Sequence, residues 1–394
     1  VRLLTQITSE HSAKISRVLT PELLETLRAR AVEHDENNTF PHDDLQDLAE
    51  TGYLRAQTPV ELGGLGWDFA VITEAQRLLA TASPATALAV NMHQIINAVA
   101  SVFAIHGDDS LRFIHRGSAN GEIYAFGISE AGNDAVLFDS STEAVANPDG
   151  SVTLTGTKIF TSLSPAWTHL LTFGKTPDGS QLIFGVLDRS AEGISADDSS
   201  WDMLGMRATF SLVTRLEQAT ISAEKVIRRL PVGPNQDLLV FGIFSTFLTL
   251  LSAVYTGIGD RAAELAQQAL ALRTSTVQGI TLDQDPVLRY HAGEAALRQL
   301  TQNAQLRYLS EAIRDNKDFG PEWFPRLVAN KTHAVRTAKE QVDYAFQISG
   351  GASFNRHTEI SRLYRDVIAG FFHPSNDASA HNTLATWALG PLDQ

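Results

Sequence analysis

Residues 238–259 (LLVFGIFSTFLTLLSAVYTGIG) hold no charged side chain in 22 positions. As a helix this run is about 33 Å long, enough to cross a bilayer. A helix with no polar face must lie in lipid or be surrounded by protein. Gly, Ser and Thr interrupt the run, and the nearest following base, Arg261, stands beside Asp260, so the flanking-charge signal of a membrane span is missing. The reading is a helix buried on all sides among others. A chain of 394 residues, 43% of them hydrophobic, has enough material for that, and its length points to two or three lobes around a shared interior.

The rest of the sequence sorts into three blocks. Residues 1–120 read as a helical domain. Thr20-Pro21-Glu22 has the N-cap, first-turn proline and acidic residue of a helix start. A second helix over 41–51 stops at Gly52, and the glycine-rich stretch 58–66 is a loop. Residues 121–231 read as a central antiparallel, barrel-like β domain. Asn147-Pro-Asp-Gly150 is turn chemistry ahead of a threonine-rich strand, and Thr176-Pro-Asp-Gly179 lies between two further β-branched runs. Residues 232–394 read as a C-terminal helical bundle. This order, helices then strands then helices, is an α+β class and excludes an alternating parallel sheet. No G-x-G-x-x-G follows a strand, so a Rossmann site has no support.

Composition removes other classes. Without cysteine there is no disulfide framework, thiolate metal site or cysteine nucleophile. The twelve histidines show no i, i+4 pair beside a carboxylate, so no metal site is expected. A net charge of −14 without a basic cluster argues against nucleic acid. Residues 1–10 lack the apolar run of a signal peptide, which makes a cytoplasmic enzyme the expectation.

Six motifs in order resemble the acyl-CoA dehydrogenase superfamily over nearly the whole chain. They are residues 54–66, Ser129-Glu130-Ala-Gly132-Asn133-Asp134, Thr155-Gly156-Thr-Lys158-Ile-Phe160-Thr-Ser162, Trp201-Asp-Met-Leu-Gly205-Met-Arg207-Ala208-Thr209, Gln347-Ile-Ser-Gly350-Gly351 and Arg362-Leu-Tyr-Arg365-Asp366. The resemblance implies an N-terminal helical domain, a central β domain, a C-terminal four-helix bundle, FAD or FMN between them, and a homotetramer. It also implies roles. Phe160 would stack on the flavin and Ser162 would bond N5, which agrees with their same-face spacing on a strand. Ser129 would meet the pyrimidine edge. Arg273 would reach the FAD pyrophosphate of a neighbouring subunit, and Gln347, Gly350 and Gly351 would form the loop that supports another subunit's adenosine.

A dehydrogenase of this family needs a carboxylate to remove an α-proton. At the position following Arg365-Asp366 this chain has Pro374, and at the alternative position on the bundle's first helix it has Phe247. Neither takes a proton. His373 stands beside the lost position, and His93 lies at a position that faces the flavin in the family's monooxygenases. Such enzymes borrow reduced flavin from a separate reductase and transfer one atom of dioxygen. His93 and Ser162 would supply hydrogen bonds there, with His373 as a third candidate. Phe241, Phe244, Phe247, Phe371 and Phe372 offer a dry wall, although a phenylalanine-rich helix is more often core. The expectation is a flavin-dependent monooxygenase acting on an apolar or aromatic small molecule, with no nucleic-acid or membrane partner. The alternatives are a dehydrogenase whose base is Asp377 or Glu130, and a flavin-binding or scaffold protein without turnover.

Overall fold

The computed structural model of the protein describes residues 9–199 and 201–392, so the expectation placed on residues 1–10 falls mostly outside the described residues. The N-terminal helices are α1 (Ser9–Ile15), α2 (Pro21–Asn37), α3 (His42–Glu50), α4 (Phe69–Ala82), α5 (Pro84–Ile105) and α6 (Arg112–Ala119). Thr20 caps α2 by accepting the Leu23 N–H, and Gly52 follows α3 in the left-handed region, both at the positions read from sequence.

Eight strands follow: β1 (Tyr124–Gly127), β2 (Glu143–Ala146), β3 (Val152–Thr161), β4 (His169–Lys175), β5 (Gln181–Asp188), β6 (Ile194–Asp197), β7 (Leu212–Ile221) and β8 (Val226–Pro231). They form one sheet in the order β6-β7-β3-β2-β4-β5-β8, with β1 added on β4. The β2–β3 and β4–β5 hairpins turn at the two Pro-Asp-Gly sites. The sheet is mixed, which corrects the purely antiparallel expectation. β1 enters parallel to β4, pairing Tyr124 with His169, and β2 touches the same strand in parallel at Lys175. The chain reaches β1 from α6 and leaves it by the long 128–142 loop, and parallel pairing needs a long connection of that kind where a tight hairpin would force antiparallel neighbours.

The C-terminal helices are α7 (Leu238–Leu272), α8 (Pro286–Arg314), α9 (Trp323–Ser349), α10 (Glu359–Ile368) and α11 (Asp377–Leu389). The uncharged run is the first part of α7, which packs against α9, α4, α5 and α8 and is buried for most of its length. α5 and α7 are both long and apolar enough to cross a membrane, and both are mostly buried in protein. The first charge after the run, Asp260, is itself buried and accepts from Arg77 on α4 and Gln299 on α8, each at 2.5 Å. Apolar burial holds α7 centrally, and this polar contact fixes its register.

Candidate flavin site

β3 ends in a bulge. Its pairing with β7 slips between Lys158 and Thr161, and inside that slip Phe160 has φ +55°. A left-handed conformation costs a non-glycine residue about 1–3 kcal/mol, and here it holds a phenylalanine 59% exposed. Strain combined with an exposed aromatic ring marks a surface made for contact. The alternation used to place Phe160 and Ser162 on one strand face therefore fails, because Ser162 lies in the turn beyond the strand. The two still stay close in the chain.

Ser162 is buried, and its hydroxyl is 2.7 Å from that of Ser211. Ser211 donates to the Thr209 hydroxyl, which donates to the Met206 carbonyl, at 2.9 and 2.8 Å. With those protons committed, Ser162 donates into the chain and keeps free lone pairs. It is an acceptor, suited to a donor such as the N5–H of a reduced flavin. Ser129, half-buried, lies beside this segment because its carbonyl takes the Ile159 N–H at 2.8 Å. The structure thus brings Ser129, Phe160 and Ser162 together.

Glu130 and Lys158 brace this surface from behind, a role that sequence reasoning missed. Lys158 is fully buried, bonds Glu130 at 2.5 Å and lies 4.4 Å from the centre of the Phe173 ring. Glu130 also accepts from the side chains of Ser140, Ser141, Thr142 and Asn133 and from the backbone of Ser141 and Thr142. Burial alone would raise its pKa, but the ammonium and these donors hold it well below the carboxylate range. Burial brings Lys158 down to about 8, still an ammonium at neutral pH. The Glu–x₂₇–Lys spacing shows no pattern in the sequence; two charged residues inside otherwise apolar or threonine-rich segments were the available signal.

One of the three histidine and serine candidates changes. His93 is fully buried; its Nε2 lies 2.5 Å from the Leu54 carbonyl and its Nδ1 accepts the Tyr124 N–H at 3.1 Å. Burial lowers its pKa to about 4. Both nitrogens are spent joining α5 to β1 and the 53–55 turn, so His93 is a brace and offers no free donor. His373 sits 2.9 Å from the hydroxyl of Tyr255 on α7. Among the phenylalanines, Phe241 packs on Trp323, Phe244 on Phe324 and Phe247 on Phe126, each partly buried against the core, whereas Phe372 is 77% exposed.

Neither base named for a dehydrogenase is free. Glu130 is the buried brace, and Asp377, at the exposed start of α11, pairs with Arg336 at 2.7 Å. At the far end of the bundle Arg273 caps α7 and donates to the Ile348 carbonyl. Its guanidinium lies over Gly350, where a β-carbon would fall 3.1 Å from Nη1 at the flexible end of the arginine, so φ +69° is what calls for glycine there. Arg273, the exposed Gln347 and Gly351 and the half-buried Gly350 therefore meet within one chain, well separated in sequence from the Phe160 surface. The 201–209 and 362–366 motifs also meet. Met206 N–H bonds the Asp366 carboxylate at 2.5 Å, and Gly205 approaches Arg365 so closely that a β-carbon would lie 2.2 Å from its carbonyl oxygen.

Two cavities among the described residues have linings that exclude Phe160. One, about 240 Å³, lies among Asp35, Arg207, Arg362 and Asp366. The other, about 700 Å³, lies between α3 and the start of β1, lined by Leu45, Leu54, Arg55, Glu122 and Ile123. The aromatic surface is an open face, flanked by a hydroxyl acceptor and stiffened by a buried ion pair. A flat conjugated cofactor fits such a face.

Comparison with known proteins gives the class. This chain belongs to the acyl-CoA dehydrogenase superfamily of flavin-dependent oxidoreductases, the family's N-terminal domain matching residues 15–112 and its C-terminal domain residues 249–378. It is 29% identical over 382 residues to L-evernosamine nitrososynthase of Micromonospora sp., covering 92% of this chain and 87% of the relative. It is 23% identical over 375 residues to dibenzothiophene monooxygenase of Mycolicibacterium goodii, covering 89% and 88%. Among solved structures, KijD3 in complex with FMN and a dTDP-linked amino keto sugar superposes with a TM-score of 0.86 at 28% identity, covering 99% of this chain and 96% of that one.

Proposed function

We propose that the protein is a flavin-dependent monooxygenase that binds reduced FMN or FAD delivered by a separate reductase and oxygenates an apolar or aromatic small molecule. The observation that carries this reading is the missing base: the two family positions hold Pro374 and Phe247, and the two substitute carboxylates are engaged elsewhere. Flavin supplies the oxygen chemistry when bound. Phe160 stacks on it, Ser162 accepts from its edge, and Ser129 orients the pyrimidine side. A second reading for the substrate, an amino sugar nucleotide oxidised at nitrogen, is favoured by the likeness to the nitrososynthase.

The test is a titration with oxidised and reduced FMN and FAD under argon, followed by air. Reduced flavin is expected to bind tighter than oxidised, and label from dioxygen is expected in the product of an aromatic heterocycle or a dTDP-amino sugar. Bleaching of oxidised flavin by an acyl-CoA without oxygen would instead establish a dehydrogenase. FMN is expected to bind at least as well as FAD, because Arg273 already bonds its own chain.

The homotetramer belongs to the same proposal. Val287, Tyr290, Leu297 and Leu300 form an exposed apolar stripe along α8, spaced by three and seven residues. A stripe of this kind on a helix is an interface signature. Leu297→Glu with Leu300→Glu is expected to halve the mass or more in light scattering while leaving the circular dichroism spectrum unchanged. An unchanged mass would remove α8 from the interface.

A further inference from the structure

His373 has a setting that the reading above does not explain. Tyr255 is wholly buried on α7, and the only partner of its hydroxyl among the described residues is His373 Nε2 at 2.9 Å. A buried hydroxyl that only accepts leaves its proton without a partner, which costs about 1–3 kcal/mol. The proton is therefore placed on the Tyr255 oxygen and aimed at Nε2. An imidazole that accepts at Nε2 carries its own proton on Nδ1. Nδ1 has no protein partner among the described residues, and it is not among the buried atoms left unsatisfied, so it reaches accessible space.

Lys331 on α9 completes the arrangement. Its buried ammonium donates to the carbonyls of Gly370, His373 and Ser375 at 3.0, 3.0 and 2.8 Å. It uses all three protons on one loop, with no carboxylate in contact. Gly370 is pressed on Tyr255 and Val335, with no room for a β-carbon, so the loop is held from both sides. The charged groups around this loop are Lys331 and Arg336 of α9, Asp366 of α10, and Asp377 and His381 of α11. Arg336 and Asp377 neutralise each other at 2.7 Å. Lys331, with no carboxylate in contact and only Asp377 acting on it from a distance, is the cation that acts on the ring.

We propose that Tyr255 and Lys331 are positioning residues that hold His373 as a neutral imidazole with Nδ1–H as a free hydrogen-bond donor. Tyr255 selects the tautomer, and Lys331 fixes the loop while its charge opposes protonation of the ring. Burial and that charge push the His373 pKa down to about 3, in the same direction. Only the consequence in turnover rests on the monooxygenase reading; the tautomer does not.

The experiment is nitrogen NMR of full-length protein labelled at histidine, with His373 assigned by His373→Asn. The expected wild-type signal is a protonated Nδ1 and an unprotonated Nε2, with no titration between about pH 5 and 9. Tyr255→Phe is expected to move population to the Nε2–H form, and Lys331→Met to raise the His373 pKa above its wild-type value and speed amide exchange over residues 370–375. A wild-type Nε2–H tautomer, or ordinary histidine titration in the wild type, overturns the proposal, and both are read on the wild-type protein, with His373→Asn needed only for the assignment. In turnover, Tyr255→Phe is expected to lower kcat about tenfold with KM unchanged. If the tautomer is as stated but no substrate is oxygenated, the functional reading fails and the assignment of the histidine stands.

Discussion

Glu130→Gln is expected to lower the unfolding free energy by about 3–5 kcal/mol, the largest effect of any single substitution discussed. The change leaves the Lys158 ammonium, fully buried over Phe173, without its counter-charge, and removes one acceptor oxygen from the 139–142 turn. Replacing both partners, Glu130→Gln with Lys158→Met, is expected to recover much of the loss, since a well-packed neutral pair costs less than one stranded charge. Urea unfolding of the three variants measures this. A single variant within about 1 kcal/mol of wild type would mean that the pair does not brace the fold.

The same residue sets an acid limit. Glu130 has a folded pKa far below its unfolded value, so its stabilisation is complete above about pH 4.5 and is lost as pH falls toward the folded pKa. The neutral histidines, buried His93 near 4 and half-buried His373 near 3, act with the same sign: their contribution is present above the unfolded histidine value and falls away in acid. Stability is therefore expected to drop steeply below about pH 5. In Glu130→Gln that slope is expected to be shallower.

Phe160 yields the second large effect, with opposite signs for binding and stability. Phe160→Ala removes the aromatic face and is expected to weaken flavin binding about 10- to 100-fold, as the loss of one stacked ring implies. Phe160→Gly is expected to weaken binding equally but to stabilise the flavin-free protein by about 1 kcal/mol, because glycine adopts φ +55° without the strain that phenylalanine bears there. Fluorescence titration with FMN and a thermal melt without flavin separate the two. Retained affinity in both variants would remove Phe160 from the site.

Much of the fold was legible because its signals are local. A threonine before proline caps α2, Pro-Asp-Gly turns the two hairpins, and the uncharged run can only be a buried helix. The candidate site was legible as motifs more than as geometry. Ser129, Phe160 and Ser162 did come together, whereas Arg273, read as reaching the pyrophosphate of a neighbouring subunit's FAD, bonds the Ile348 carbonyl of its own chain. His93 misled because a histidine on an apolar helix gives no sign of which carbonyl will approach it. The Leu54 carbonyl and the Tyr124 amide that occupy it come from 39 and 31 residues away.

The order of elements, the central place of α7 and the absence of an acid at either catalytic position belong to the one-dimensional chain, since periodicity, turn chemistry and residue identity are properties of neighbours along it. The left-handed Phe160, the Glu130–Lys158 brace, the parallel entry of β1 and the Tyr255–His373–Lys331 cluster were decided only when distant segments packed. Burial and bond direction depend on what lies across the interface, and that partner is set by the whole fold.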